Sequence, residues 1–332
     1  MSPHISHTPE NIEGILKEYG WDTFKSPLHT FKNNDDLPFI TLGILHHNRR
    51  EALKITLNVL KEIQYPDFEI IVVDNASTDG TAEMMKNEFP SVQFIRLLKN
   101  TGTAGRNEFL KRARGKYIFC YDDDTVPASP DTVVKMVEFM EENPEIAALC
   151  GNYFQPLTGI EETAGWEKFA QKKSVKGSEG IFLVEGGVCF RNSVLKETGY
   201  YDEENLWGAE GSDLSFEFLK KGHLIHLNRD FTTLHFKFYA GRPPNRDTNW
   251  KTQNMIRLLA KHFPVWAFIP LSFGYVVRRI VGIAIRPKTA IGVLKGIVKG
   301  FSGAGKFLKR MPKLTLKQML FLKRWYLMLY RW

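Results

Sequence analysis

Between Phe39 and Cys150 the chain alternates between apolar, β-rich runs and stretches of helical pattern. The runs lie at Phe39–Leu45, Glu69–Val73, Val92–Leu97, Tyr117–Tyr121 and Ile146–Cys150. The helical stretches lie at Arg50–Ile63, Thr81–Glu88, Gly105–Arg114 and Pro130–Glu142. Two residues can join antiparallel strands, but parallel neighbours need a crossover of about a dozen or more. The spacing therefore predicts an α/β fold, a doubly wound and mostly parallel sheet with helices on both faces. Such sheets bind ligands beyond the carboxyl ends of their strands. Residues with chemical potential should then follow the runs directly, and they do.

The second run ends in VVDNASTDGT. Asp74 closes the strand, Asn75 to Thr78 make a turn, and Thr78 or Asp79 can cap the next helix. A carboxylate at a strand end beside a helix N-terminus also suits a nucleotide, with Asp74 accepting from a base N–H and Asn75 beside it. The fourth run ends in CYDDDTVP. Asp122, Asp123 and Asp124 would repel one another if partly desolvated, so a fold gains little from them structurally. A divalent cation removes that penalty. Carboxylate oxygens suit Mg²⁺ or Mn²⁺ and leave positions for phosphate and water. A solvated acidic turn is the plainer alternative.

Between these motifs lies KNTGTAGRNEFLKRARG, whose Gly102 and Gly105 permit close backbone approach and whose Arg106 can reach a phosphate. Further on, NLWGAEGSDLSFEFLKKGH marks a helix. Ser212 fits its N-cap, Asp213 its first turn and Gly222 its stop. Asp213 reads equally well as structural or functional. Glu210 falls just outside the predicted start, beside Trp207 and Gly208, where no local motif needs it. The helix dipole there would keep it ionised, as a general base requires. His235 follows an apolar run in FTTLHFKFYAGRPPNRD and is a candidate metal or phosphate ligand.

In order and spacing these motifs, together with EGGVCFRNSVLKETGYYDE, resemble the family 2 glycosyltransferases of the GT-A fold, whose branches include rhamnosyltransferase-like enzymes. The likeness runs from about Leu37 to His262. It implies an inverting transfer of sugar from a nucleoside-diphosphate donor (UDP, dTDP or GDP) to a hydroxyl of a glycan or lipid-linked acceptor. Carried over by position, Asp74 would contact the base, Asp122 the ribose region, and Asp124 the metal, with Asp122 beside it. Asp123 would be the variable middle residue. Gly186 and Gly187 would border the donor-sugar pocket, and His235 would be a further metal or phosphate ligand. The family usually places adjacent Glu-Asp before the helix. Here Gly211 stands at the Asp, which moves the base role to Glu210, with Asp213 second. Two other readings stay open. A non-catalytic nucleotide-sugar binding protein would fit the loss at Gly211. A sugar-phosphate nucleotidyltransferase would want a Gly-rich basic loop after the first run, where HHNRREAL stands.

The hydrophobic fraction of 43% excludes wholesale disorder. Cys120, Cys150 and Cys189 sit in apolar runs without ligand spacing, as expected of reduced thiols in a cytosolic protein. MSPHISHTPENIEG lacks the pattern of a signal peptide. The net charge of +8 hides an asymmetry. No acidic residue follows Asp247, whereas Thr248–Trp332 holds 17 of the 45 lysines and arginines, leaving 28 basic against 37 acidic side chains before it. A basic tail on an acidic body predicts an anionic membrane surface as partner, and nucleic acid less so. Pro264–Val277 is apolar, but at 14 residues it is too short to span a bilayer. In Ile291–Arg310 a wheel groups Leu294, Ile297, Val298, Phe301 and Leu308 against Lys295, Lys299, Lys306 and Arg310. That is the pattern of an interfacial helix, although five glycines weaken it in isolation. A basic helix packed on the catalytic domain is the competing reading. The expected organisation is an extension at 1–36, a catalytic domain at 37–262 and an amphipathic basic helical region at 263–332. The expected place is the cytoplasmic face of a membrane.

Overall fold

The structure, a computed structural model, describes residues 9–21, 37–164, 172–174, 177–180, 186–204, 208–237, 244–322 and 326. Much of the expected extension, Trp207, the loop after Lys237 and the RWYLMLYRW close apart from Tyr326 lie outside the described residues. In chain order come α1 (Pro9–Glu18), β1 (Ile40–His46), α2 (Arg50–Lys61), β2 (Phe68–Asp74), α3 (Thr81–Glu88) and β3 (Gln93–Arg96). A 3-10 turn at Gly102–Arg106 leads into α4 (Asn107–Arg112), β4 (Tyr117–Asp122), β5 (Thr125–Pro127) and α5 (Thr132–Glu142). Next are β6 (Ala148–Gln155), β7 (Ile160–Glu161), β8 (Lys172–Ser174), β9 (Gly177–Gly180), β10 (Val188–Arg191) and α6 (Asn192–Thr198). The chain continues through α7 (Glu210–Lys220), β11 (Ile225–His235), α8 (Pro244–His262), α9 (Val265–Ile285), α10 (Ala290–Leu308) and α11 (Leu316–Phe321).

The five predicted strands and the four helices between them all form, with ends moved by a few residues. Along the main sheet the order is β3-β2-β1-β4-β10-β6-β11-β9-β8, and β1 to β4 run parallel. The central strands are continuous buried runs because helices cover both faces. Alternate residues show it. Val72, Phe119 and Tyr121 join a core with Leu53 and Leu57 of α2 and Val133 and Val137 of α5. Ile71, Val73, Ile118 and Cys120 join another with Phe109 of α4 and Leu214 and Phe218 of α7. The three cysteines are buried and form no disulfide among the described residues. From the extension, Ile12 and Leu16 of α1 pack on Val126, Leu234 and Phe236, behind the β5–β11 pair.

The C-terminal helices are packed onto the sheet domain rather than hung from it. Phe216 and Leu219 of α7 share one core with Ile256 and Leu259 of α8, Phe268 and Tyr275 of α9, and Phe307 of α10. The glycines of α10 have a packing role. A Cβ at Gly296 would come within 2.6 Å of the Asn249 carbonyl, and one at Gly300 within 2.9 Å of Ile256 Cβ. Small residues at that spacing let α10 lie directly on α8, which offsets their poor helix propensity. Some of the basic charge is also used internally. Lys306 and Arg310 pair with Glu204 at 2.8 and 2.7 Å, and Arg310 also pairs with Asp202.

One expectation changes here. The apolar segment does not stop at Val277, because α9 continues through Arg278 and Arg279 for 21 residues. It is the one helix among the described residues long and apolar enough to cross a membrane by length and composition. Its buried side (Ala267, Phe268, Ser272, Tyr275, Gly282) is nonetheless packed against protein. Its exposed side is apolar, with Trp266 at 64% and Phe273 at 68% exposure.

Candidate active site

Strand register lines up the acidic residues. His46 stands opposite Asp74 across β1 and β2, and Leu45 opposite Asp122 across β1 and β4. This is the switch point where β1 is followed on one side by β2 and on the other by β4, the place where doubly wound sheets hold ligands. Asp74 is fully buried. Its Oδ1 accepts from the Ser77 N–H at 2.9 Å, while Oδ2 has no hydrogen-bond donor and only the Arg96 guanidinium at 3.5 Å. A buried acceptor left without a donor is costly and suits an incoming N–H. Asn75 is saturated instead, accepting from the Thr101 N–H at 2.8 Å and donating to the Gly102 carbonyl at 2.9 Å. It fixes the Gly-rich turn. That turn delivers Arg106, buried, to Asp122 at 2.5 Å.

Asp123 and Asp124 are met by Arg49, and Asp123 also by His46. His46 Nδ1 lies 2.8 Å from Asp123, and Arg49 grips Asp123 and reaches Asp124 at 2.5 Å. Burial pushes Asp123 above the ordinary carboxylate value even against Arg49 and His46. Arg49 and Arg106 offset part of the repulsion that argued for a cation, so a metal has to be judged on its donors. β11 pairs with β5 in the register His235↔Thr125, which sets His235 Nε2 3.7 Å from Asp124 Oδ2. The other ring nitrogen meets Glu162 at 2.6 Å. Burial disfavours the charged imidazole, but Asp124 and Glu162 outweigh it and push His235 up to about 9. Among the described residues no three His, Cys, Asp or Glu side chains form a cation cage. One carboxylate and one imidazole do fit Mg²⁺ or Mn²⁺ arriving with a diphosphate that completes its shell. Asp122 stands with Arg106 rather than in that pair.

Gly186 and Gly187 line the same wall. A Cβ at Gly186 would overlap the Tyr153 hydroxyl. One at Gly187, whose φ is +125°, would overlap Thr233. The Gly187 N–H donates to the Cys120 carbonyl at 2.6 Å, seating this turn against β4.

The two candidate bases separate clearly. Helix α7 begins at Glu210, not after Ser212, and no side chain caps it. Glu210 is thus its first residue, with its carboxylate held by the Gly208 N–H. Burial raises its pKa above the ordinary value, against the pull of the helix-start amides and of Arg106. The dipole alone does not set its charge. Asp213 is buried and held by two residues of α8. It accepts from His262 Nε2 at 2.7 Å and from Lys261 at 2.8 Å, and Lys261 also holds Asp202 at 2.9 Å. Burial keeps His262 neutral, down to about 4. Burial opposes ionisation of Asp213, yet His262 and Lys261 hold it at about 2. The sign follows. The unfolded chain protonates His262 first, so stability falls as pH drops from about 6.5 towards 4, by roughly 2 kcal/mol between pH 7 and 5. Asp213 adds acid lability only as pH falls below about 4. The melting temperature should drop by several degrees from pH 7 to 5, and His262→Asn should flatten that slope; parallel slopes would refute the assignment.

Sequence reasoning passed over His46, Arg49, Tyr153 and Glu162. HHNRR runs from the last residue of β1 to the first of α2, and that position was the available signal. Nothing local marks Glu162.

Residues 41–199 match the sequence profile described as Glycosyl transferase family 2. A poly-beta-1,6-N-acetyl-D-glucosamine synthase of Staphylococcus epidermidis is 30% identical over 177 residues, 48% of this chain and 41% of the relative. The chain thus spans less than half the length of that relative. Among solved structures, the mannosyltransferase PcManGT from Pyrobaculum calidifontis, in complex with GDP-Man and Mn²⁺, superposes with a TM-score of 0.54. It is 16% identical and covers 97% of this chain and 93% of that one. Staphylococcus aureus TarS 1–349 with UDP-GlcNAc gives a TM-score of 0.52 at 16% identity, covering 81% of this chain and 83% of that one. The order of strands and these matches agree: residues 41–199 match the glycosyl transferase family 2 profile, in a chain with the GT-A fold and a helical C-terminal region.

Proposed function

We propose that the chain is an inverting glycosyltransferase that moves a sugar from a nucleoside-diphosphate donor to an acceptor hydroxyl. The observation that carries this reading is Asp74 and Asp122 at the ends of the two strands flanking β1, with Asp124 in the turn that follows and His235 brought against it. Asp74 offers Oδ2, which has no hydrogen-bond donor among the described residues, to a base N–H, and Asp122 with Arg106 faces the ribose and phosphates. Asp124 and His235 would hold Mg²⁺ or Mn²⁺, which when bound supplies a Lewis acid for the charge developing on the diphosphate. Glu210 takes the proton of the acceptor hydroxyl as its oxygen bonds to the anomeric carbon. The bond to the diphosphate breaks and its electron pair leaves with the phosphate oxygen. One such displacement inverts the anomeric centre. The GDP-Man and UDP-GlcNAc complexes of the structural relatives support a nucleotide-sugar donor.

Calorimetric titration with UDP, dTDP and GDP, before and after EDTA, tests the reading. Affinity for one of them should fall at least tenfold when the metal is removed. Equal affinity in both conditions would take the metal out of the mechanism. Donor hydrolysis in Mn²⁺ should also be measurable, and its absence would favour a binding protein that has lost catalysis.

The same proposal places the enzyme on an anionic, cytoplasmic membrane surface, beside a glycan or lipid-linked acceptor. The exposed side of α9 carries Trp266, Ile269, Phe273 and Val277, and α10 exposes Leu294 and Val298 with Lys295 and Lys299. Because α9 is packed on protein along its other side, it would lie in the interface rather than cross it.

A further inference from the structure

We propose that Glu162 is a positioning residue that aims His235 at Asp124 and thereby at the donor's cation and diphosphate. The inference rests on the site reading above, but it concerns a side chain that no motif marks. Glu162 follows the short strand β7, which pairs with β6 through Phe154↔Glu161. Its own N–H donates to the Tyr153 carbonyl at 2.7 Å, so its place is fixed by the backbone. From there Oε1 meets His235 Nδ1 at 2.6 Å and the Gln155 amide at 2.6 Å, while Lys237 stands 3.7 Å from Oε2. The Tyr153 ring lies against the imidazole, 4.7 Å between centroids. The histidine is therefore held on one edge and one face.

The orientation has a chemical consequence. With Nδ1–H donated to Glu162, the lone pair of Nε2 is directed toward Asp124 Oδ2, 3.7 Å away. Asp124 Oδ2, which also accepts from Arg49 at 2.5 Å, and His235 Nε2 are the two atoms that would hold a divalent cation. A carboxylate behind a ligating imidazole fixes the tautomer and ring direction and raises ligand basicity, and its loss costs about 10–100-fold in metal affinity. Lys237 alone would give Glu162 a counter-charge but would not require contact with His235.

The experiment measures Mn²⁺ affinity by electron paramagnetic resonance in the presence of the nucleoside diphosphate that binds the wild type. His235→Ala, Glu162→Ala, Glu162→Gln and the double alanine variant are compared. Glu162→Ala should weaken Mn²⁺ binding about 10–100-fold, and the double variant should be no weaker than His235→Ala alone. Glu162→Gln should restore most of the affinity, because its amide oxygen still accepts from Nδ1–H. Metal-free nucleotide binding and melting temperature should stay near wild type, which a purely structural role would not allow. Loss in His235→Ala with none in Glu162→Ala would overturn the proposal while leaving the site reading intact. Additive losses would overturn it too. No loss in His235→Ala would overturn both.

Discussion

Glu210→Gln should slow sugar transfer by roughly 10²–10⁴-fold, the usual worth of a positioned base, while donor affinity stays nearly constant. Glutamine keeps the size of the side chain and can still accept from the Gly208 N–H, so the start of α7 should hold. Only the ability to take a proton is lost. Because burial raises the Glu210 pKa, the acid limb of kcat/KM should lie above the ordinary carboxylate range. Activity should fall as pH drops through that raised value. Asp213→Asn should behave in the opposite way. It breaks a buried contact to Lys261 and His262 and should lose melting temperature, with a much smaller loss of rate. A dead Asp213→Asn beside an active Glu210→Gln would place the base on the other carboxylate. Full transfer in both would remove the base from this helix.

Replacing Trp266, Ile269, Phe273 and Val277 together by serine should weaken partition onto anionic vesicles by roughly 10³-fold, at about 1 kcal/mol for each apolar group no longer buried. These side chains are 44–68% exposed, so the fold should tolerate the change. Cutting the chain after Pro264 would be a poorer test, because Phe268, Tyr275 and Phe307 belong to the core shared with α7 and α8. Lys295→Gln with Lys299→Gln should cost less, about 1 kcal/mol each, and only on anionic vesicles. Flotation with vesicles that is the same for wild type and the serine variant would sink the membrane reading. Binding lost equally to neutral and anionic vesicles would assign it to the apolar face alone.

The sequence by itself determined the alternating elements, because burial on both sheet faces leaves a period and a length that can be read locally. It also pointed to Asp74, Asp122 and Asp124 as candidates, because a parallel sheet gathers its strand ends at one edge whatever the details of packing. The stop at Gly222 was legible for the same local reason, a left-handed residue closing a helix. The start of that helix was not, since Ser212 had the chemistry of a cap but packing began the helix at Glu210.

Only the tertiary structure decided which charge meets which. Arg49 on Asp123 and Asp124, Arg106 on Asp122, and Lys261 with His262 on Asp213 join residues 16 to 75 positions apart. No spacing rule links such partners. Asp213 had no local mark separating a catalytic from a structural carboxylate, and only packing brings Lys261 and His262 of α8 onto it. The glycines of α10 looked like helix breakers until α8 supplied the surface they fit. Glu162 acquires meaning only because β7 and β11 both flank β6 and bring it to His235. Periodicity is written along one segment, whereas an ion pair depends on two segments and on the register between them.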